Sequence, residues 1–141
     1  MIIRHIESND YYKDYLILLE QLTIVEKEKI NFIQFKNFIN NLSDKHIIIV
    51  IEYNNKIVGT GTLIIENKLI HNMGLVGHIE DVVIHNNHRK LGYGKKIINE
   101  LINICIQSSC YKIILNCNEN NINFYQNCGF TQKEIEMAKY L

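Results

Sequence analysis

Three apolar, β-branched segments follow one another between residues 46 and 85 with no helical pattern between them, and this succession restricts the fold more than any other feature. The run His46–Ile51 is too short for a typical helix and suits a strand buried on both faces. Asn54-Asn55 is a hairpin turn signal, so residues 57–65 are predicted to pair back as the next strand. Residues 77–85 predict a third strand, so the middle of the chain should form a sheet.

Helical patterns flank this block on both sides. Residues 10–21, which Asp10 or Asn9 could cap, and residues 28–41 predict two helices before it. Further strands are predicted at 2–7, 111–117 and in the last ten residues. Two further helices are predicted: a short one at 120–127 that Gly129 ends, and an amphipathic one whose apolar face comprises Ile97, Ile98, Leu101, Ile102 and Cys105. The order β-α-α-β-β-β-α-β-α-β is typical of an α+β fold with a mixed sheet. Without a recognisable linker, residues 1–141 are predicted to form a single domain.

The composition narrows the possible partners. With 15 basic and 15 acidic residues, the chain has no overall charge to attract nucleic acid or an anionic membrane, and no apolar stretch is long enough to span a membrane. The four cysteines form no C-x-x-C pair, and no set of side chains has metal-ligand spacing, so no metal is expected. Cys117 and Cys128 are expected to be buried, inert thiols. Free thiols without a secretory signal predict a cytoplasmic protein.

A polar, glycine-bearing loop connects the third strand of the central block to the amphipathic helix. Gly92 and Gly94 allow a tight turn and a close approach of the backbone to a ligand. The helix that follows offers free N–H groups and the positive end of its dipole, which together suit a pyrophosphate. Arg89, Lys90 and Lys95 add positive charge. Taken alone, the loop is more typical of an ordinary solvated turn than of a ligand site, and it matches neither a Walker A loop nor a dinucleotide fingerprint.

Two motifs resemble those of the GNAT superfamily of acetyltransferases. The first is the Arg-x-x-Gly-x-Gly spacing of Arg89–Gly94, which resembles the acetyl-CoA loop, and the second comprises Asn118, Asn121, Phe124, Tyr125, Gly129 and Phe130. The resemblance implies the GNAT fold, a central mixed and mostly antiparallel sheet flanked by helices, with acetyl-CoA as cosubstrate and no metal. The cofactor-binding residues that it implies are Val82, Val83, Ile84, Arg89, Lys90, Leu91, Gly92, Tyr93, Gly94, Lys95, Asn121, Phe124 and Tyr125.

The second motif also carries a candidate catalytic group. A phenol has a pKa near 10, so Tyr125 is protonated at neutral pH and can donate its proton to a leaving thiolate. The resemblance assigns this general-acid role to the tyrosine at the position of Tyr125.

Longer strings resemble one group within the superfamily, the glucosamine-6-phosphate N-acetyltransferases. These strings are Lys68–His71, Gly77–Val83 and Cys110–Leu115. The resemblance implies transfer of acetyl from acetyl-CoA to the amine of D-glucosamine 6-phosphate, in the UDP-GlcNAc (hexosamine) pathway, by a homodimer. The substrate-binding residues that it implies are Thr23, Lys68, His71, Glu80, Asp81, Tyr111, Lys112 and Asn116. Cations and donors among them suit a phosphate, and the carboxylates suit sugar hydroxyls and the amine.

Two positions depart from the pattern of that group. Asn116 stands where the group usually has an acidic residue, and an amide cannot take a proton. Glu80, a water relay or main-chain carbonyls are therefore the remaining candidates for the proton acceptor, and Glu80 is the predicted catalytic base. Tyr140, with Lys139 beside it, stands where the group has a phosphate-binding arginine from the partner subunit, and lysine lacks the fork of arginine.

Two other functions remain open at this stage. The chain could be a GNAT enzyme that acetylates another amine, such as a protein or a polyamine, or a non-catalytic module that binds CoA. Release of thiol from acetyl-CoA distinguishes an enzyme from a binding module.

Overall fold

Five strands form one sheet, and they lie side by side in the order in which the chain reaches them. The computed structural model describes all residues from 1 to 141. The strands are β1 (Ile2–His5), β2 (His46–Tyr53), β3 (Lys56–Asn67), β4 (Leu75–Ile84) and β5 (Cys110–Leu115). Neighbours from β1 to β4 pair antiparallel, and β5 pairs parallel to β4 after the chain has crossed over through a helix. The predicted α+β fold with a mixed, mostly antiparallel sheet is confirmed.

The helices are short except for one. They are α1 (Tyr15–Leu19), α2 (Phe32–Asn40), α3 (Ile70–Met73), α4 (Tyr93–Gln107) and α5 (Ile122–Gln126), with 3-10 turns at Ser8–Tyr12, Lys27–Lys29, Asn86–His88 and Glu119–Asn121. The segment α3 is a single tight turn in which His71 and Asn72 have positive φ angles, so it is not a regular helix. The crossover helix α4 is the only one of the five that exceeds nine residues.

The alternation of side chains along the strands divides the core into two layers. In β2, Ile49 and Ile51 belong to the layer packed against α4, whereas Ile48 and Val50 belong to the layer packed against α1 and α2. This follows from the two-residue period of a strand, which directs successive side chains to opposite faces. Because both layers are apolar, the strand reads as a continuous hydrophobic run, as the sequence indicated.

The predicted hairpin turn is also confirmed. Asn54 and Asn55 have φ angles of 49° and 59°, the left-handed conformation that asparagine tolerates better than most residues.

The helix layer does not extend over the whole sheet. On the α1 and α2 side, Ile64 of β3 and Ile114 of β5 are each 40% exposed, so this part of the sheet faces solvent.

The prediction of one continuous helix over residues 10–21 is wrong. The chain forms a 3-10 turn, then breaks at Asp14, whose φ angle is 63°, and only then begins α1. Asp10 caps no helix as the first residue. Its fully buried carboxylate instead accepts hydrogen bonds from the Glu7 amide at 2.8 Å and from the Arg4 guanidinium at 2.6 and 2.8 Å. This ion pair with β1 decides the local conformation over the helical periodicity.

The predicted strand at the C-terminus is also absent from the single chain. Residues 130–141 form no regular element, and β5 remains the edge of the sheet. Ile135 is 91% exposed and Tyr140 is 95% exposed. A strand requires a neighbour for its backbone hydrogen bonds, and within this chain nothing pairs with the segment.

Candidate active site

The connection between β4 and α4 forms the first part of the candidate site. Gly92 precedes α4 with a φ angle of 79°, a conformation that glycine adopts without strain. Arg89 ties the loop back to the end of β4, because its Nε donates a hydrogen bond of 3.0 Å to the Ile84 carbonyl oxygen. The loop therefore holds a defined shape, with the N–H groups at the start of α4 directed out of the helix.

The positive charge around this helix start is not neutralised within the chain. Arg89, Lys90, Lys95 and Lys96 are all exposed, and none of them forms an ion pair. A dipole end and four free cations together favour a polyanionic ligand. The chemistry of these donors fits the pyrophosphate of CoA, as predicted from the sequence.

Strands β4 and β5 separate where the site begins. Their ladder ends with the pair Ile79 and Leu115, whereas β4 continues alone on this side to Ile84. The register between β3 and β4 shifts between Thr60 and Thr62, where β4 has one residue more than β3, and Asp81 at this bulge has a positive φ angle of 50°. The strand bends there, and the residues after it have main-chain groups that β5 does not use. Val82, Val83 and Ile84, which were predicted to contact the cosubstrate, are in this segment.

The two sequence motifs meet at Gly94 and Phe124. A Cβ atom built on Gly94 would lie 3.1 Å from Cζ of Phe124 and 3.3 Å from its Cε2, which is closer than ordinary contact. The ring of Phe124 therefore packs directly over the first turn of α4, and any side chain at residue 94 would require the ring to shift by a few tenths of an ångström. This contact fixes α5, and with it the neighbouring Tyr125, against the loop.

Tyr125 faces a cavity of about 320 Å³ between β5, α5 and the C-terminal segment. Burial raises the pKa of its phenol above 10.0, and the charges of Cys117 and Cys128 raise the pKa further. Tyr125 is therefore fully protonated at neutral pH. Asn116 lines the same cavity. The expectation that Cys117 is buried is wrong: it is exposed, because it lies two residues beyond the end of β5, and Cys128 is partly buried.

A second group of predicted residues gathers where the β3–β4 connection meets β5. The His71 ring lies 4.7 Å from the Tyr111 ring, centre to centre, at an angle of 36°. Lys112 extends its Nζ to 5.9 Å from the centre of the same Tyr111 ring. The Lys68 amide donates a hydrogen bond of 2.9 Å to the Gly74 carbonyl oxygen and closes the turn that carries His71. Two lysines and a histidine are thus brought to one edge of the sheet.

Glu80 and Asp81 lie at the bend of β4. Glu80 pairs with Thr62 of β3 and is exposed on the face that α1 and α2 leave uncovered. Partial desolvation raises the pKa of its carboxyl, the neighbouring Asp81 raises it further, and His78 lowers it. A carboxylate with a raised pKa is a stronger base than an ordinary one.

Some predicted residues are not brought into contact with the others. Thr23 is exposed in the loop after α1, and its side chain makes no hydrogen bond. Asn121 is exposed at the start of α5, and its backbone amide donates only to the Asn118 carbonyl oxygen, at 3.0 Å.

The contact between His78 and Glu66, whose Nε2 and Oε2 atoms lie 2.7 Å apart, was not predicted from the sequence. The two-residue period of β4, which directs His78 to the same face as Glu80, was the signal that could have found it.

No group of three or more histidine, cysteine, aspartate or glutamate side chains is arranged to hold a metal ion. Every helix is too short or too polar to cross a bilayer.

Comparison of the sequence with known proteins identifies the family. The profile of the acetyltransferase (GNAT) family matches residues 3–130. Glucosamine 6-phosphate N-acetyltransferase 1 of Dictyostelium discoideum is 42% identical over 140 residues, which cover 98% of this chain and 89% of that protein. The Arabidopsis thaliana glucosamine 6-phosphate N-acetyltransferase is 41% identical over 143 residues, with 98% and 95% covered.

Structural comparison agrees with the sequence comparison. A crystal structure of the glucosamine-6-phosphate N-acetyltransferase from Arabidopsis thaliana superimposes with a TM-score of 0.95 at 38% identity, over 99% of this chain and 97% of that one. The predicted GNAT fold is confirmed. The chain is an acetyltransferase that belongs to the acetyltransferase (GNAT) family and, within it, to the family of the glucosamine 6-phosphate N-acetyltransferases.

Proposed function

We propose that this enzyme transfers the acetyl group of acetyl-CoA to the amine of D-glucosamine 6-phosphate and forms N-acetyl-D-glucosamine 6-phosphate, a step of UDP-GlcNAc (hexosamine) synthesis. The observation that carries the proposal is the meeting of a cation-rich helix start with a protonated phenol across the Gly94–Phe124 contact. The names of the relatives that match nearly the whole chain support the choice of acceptor.

GNAT acetyltransferases use acetyl-CoA. In this enzyme the pyrophosphate binds the amides at the start of α4, with help from Arg89, Lys90 and Lys95, while Leu91, Gly92 and Tyr93 shape the loop. The unpaired edge of Val82–Ile84 holds the pantetheine arm, because β5 has already ended there. The acetyl thioester then lies between β4 and β5, close to α5. No metal takes part in this scheme.

Tyr125 acts as the general acid. Attack of the amine on the thioester carbonyl expels the CoA sulfur as a thiolate, and the phenol hydrogen of Tyr125 neutralises it. The raised pKa supports this role, because a group that stays protonated at neutral pH has a proton to donate in every turnover. Phe124 holds the phenol in position.

The sugar phosphate binds across the edge of the sheet where β3, β4 and β5 meet. Lys68, His71 and Lys112 attract its phosphate, and Tyr111 supports the His71 ring. Glu80 and Asp81 bind the amine and a neighbouring hydroxyl, and Glu80 takes the proton of the amine. In this scheme Asn116 and Thr23 donate or accept hydrogen bonds without changing protonation, and Asn121 supports the turn before α5.

The proposal also covers the domain organisation, the oligomeric state and the cellular compartment of the protein. Residues 1–141 act as one domain, and the active species is a homodimer. Support comes from exposed apolar side chains of β3, the β3–β4 connection, β5 and the C-terminal segment, which are Ile64, Leu69, Ile70, Met73, Ile114, Ile135 and Met137. The cysteines form no disulfide, which suits a reducing compartment such as the cytoplasm. Light scattering on purified protein tests the dimer.

Release of thiol from acetyl-CoA, measured with a chromogenic thiol reagent, tests the proposed reaction. D-Glucosamine 6-phosphate, D-glucosamine and spermidine serve as acceptors at equal concentration. We expect strong preference for the phosphorylated sugar. Preference for spermidine would show that the acceptor is a polyamine and not an amino-sugar phosphate. Tight CoA binding without turnover would support a non-catalytic module.

A further inference from the structure

The ring of His88, which the scheme above does not use, lies in an aromatic cluster within the cosubstrate loop, as we call residues 85–92. It stacks on the ring of Tyr93, with 6.1 Å between the ring centres and an angle of 20° between the planes. Its contacts with Tyr53, at 5.5 Å, and with His85, at 5.6 Å, are edge-to-face. These separations are those at which aromatic rings attract one another. The ring of His88 therefore connects the last residue of β2 with the first residue of α4.

The stack spans the part of the loop that makes the fewest internal contacts. The amides of Lys90, Leu91 and Gly92 donate no hydrogen bond to the rest of the backbone. Lys90 has a φ angle of 63° and Gly92 one of 79°, so no regular backbone pattern holds this stretch. Since residues 89–92 lie between His88 and Tyr93, the two stacked rings hold the ends of the segment together. The directions of its free amides therefore depend on the stack.

The other end of the cosubstrate loop is fixed to the sheet. The amide of His85 donates a hydrogen bond of 2.9 Å to the Val58 carbonyl oxygen on β3, and the amide of His88 donates one of 2.8 Å to the His85 carbonyl oxygen. The Nδ1 atom of His85 accepts a hydrogen bond of 3.2 Å from the Asn87 amide. The backbone of His88 is thus held in place, and its ring transmits that position to Tyr93.

The His88 ring is used for its shape and not for a hydrogen bond from Nδ1. That atom is buried and has no hydrogen-bond partner. A buried polar atom without a partner destabilises a fold, so nothing is gained at Nδ1 from its being a nitrogen. A flat apolar ring of similar size should therefore perform the same task.

We propose that His88 is a positioning residue for acetyl-CoA, whose stack on Tyr93 holds residues 89–92 in the conformation that directs their free amides at the cosubstrate pyrophosphate. The inference rests on the proposed function, and it adds a residue that acts through Tyr93 and the loop without touching the reacting atoms. Without the ring, the segment must be ordered when the cosubstrate binds, and this ordering reduces affinity. The acceptor site at the edge of the sheet keeps its geometry.

Calorimetric titration with CoA and steady-state kinetics test the proposal on wild type and His88→Ala. We expect the Kd for CoA and the KM for acetyl-CoA to rise by roughly tenfold, the effect of losing one or two aromatic contacts. The kcat and the KM for D-glucosamine 6-phosphate should change by less than about twofold, because the lost interaction concerns cosubstrate binding alone. Tyr93→Ala should weaken CoA binding similarly, and the double variant should lose little more than either single variant, since both remove one stack.

Two further variants separate the stack from other roles of His88. His88→Phe keeps the ring and removes the unpaired nitrogen, so we expect a CoA Kd within about twofold of wild type and a melting temperature that is no lower. Tyr12→Ala is the matched control, because it removes an exposed ring stacked on Phe32, at 5.0 Å between centres, outside the cosubstrate loop. Its CoA affinity should equal that of wild type.

Three results would overturn the inference. The first is a wild-type Kd for CoA in His88→Ala, and the second is a loss in His88→Phe as large as in the alanine variant, which would make an imidazole nitrogen the contact that matters. The third is an equal rise of KM for both substrates, the mark of general structural damage. If wild type itself binds no CoA, the proposed function is refuted together with the inference. If wild type binds CoA and His88→Ala binds it equally well, only the inference fails.

Discussion

Replacement of Gly94 by alanine should lower turnover without destabilising the protein. The added methyl carbon would lie 3.1 Å from Cζ of Phe124, whereas ordinary contact begins at 3.4 Å, so the ring must retreat by at least 0.3 Å, the difference between the two. A displacement of 1 Å at a catalytic group costs about a hundredfold, so 0.3 Å passed on to Tyr125 should lower kcat by roughly fourfold. Helix propensity favours alanine by about 0.5–1 kcal/mol and offsets the crowding, so the free energy of unfolding should stay within about 1 kcal/mol of wild type.

Thiol release and urea unfolding on the same samples measure both quantities. The same change in a Phe124→Leu background isolates the ring, because leucine leaves room for the methyl group, and there Gly94→Ala should change kcat by less than about 1.5-fold. Asn99→Ala, at an exposed position of α4, gains helix propensity without touching Phe124 and serves as the control. A fourfold loss that persists in the leucine background would refute the reasoning, since the methyl group would then act directly on the loop.

The other predictions concern the acid, the stability at low pH and the thiols. Tyr125→Phe should lower kcat by roughly ten- to ten-thousand-fold, and unchanged turnover would remove the phenol from the mechanism. Hydrogen bonds from Arg4 lower the pKa of Glu52, so its stabilising effect is present above the unfolded pKa and disappears as pH falls through the lower folded value. Urea unfolding of Glu52→Gln should accordingly show reduced stability at pH 7 and a flatter acid limb, and an unaltered limb would contradict this. Iodoacetamide should alkylate the exposed Cys117 first and Cys105 last, because burial hides the Cys105 thiol and raises its pKa to about 12. Mass spectrometry of samples taken over time measures the order, and the reverse order would be inconsistent with the burial of the two thiols.

Most strands could be predicted because their pattern is local. The β-branched run of β2, the Asn54-Asn55 turn and the start of β3 are specified by residues adjacent in sequence, so the hairpin follows from them. The helix α4 could be predicted for the same reason, since Ile97, Ile98 and Leu101 repeat at helical spacing and are fully buried. The loop before it was identified from its glycines.

Where a contact outside the segment itself decides the conformation, prediction from the sequence failed. Asp10 carries the helical pattern of its neighbours, but its carboxylate is bound by Arg4 of β1, and the chain breaks after it. The C-terminal residues have strand propensity without a strand beside them. Propensity describes what a segment can form, whereas pairing requires a second backbone that the local sequence does not provide.

The same distinction between local sequence and tertiary contacts applies to the candidate site. By itself, the sequence determined which residue types could do the chemistry: the glycines and cations of the loop, the phenol of Tyr125 and the carboxylate of Glu80, because each depends on its own side chain and close neighbours. Only the tertiary structure decided that Phe124 meets Gly94, that β5 ends before Glu80, and that Glu66 binds the His78 ring. These contacts join residues 12 to 30 or more positions apart, and their geometry exists only after the sheet has set the register of its strands.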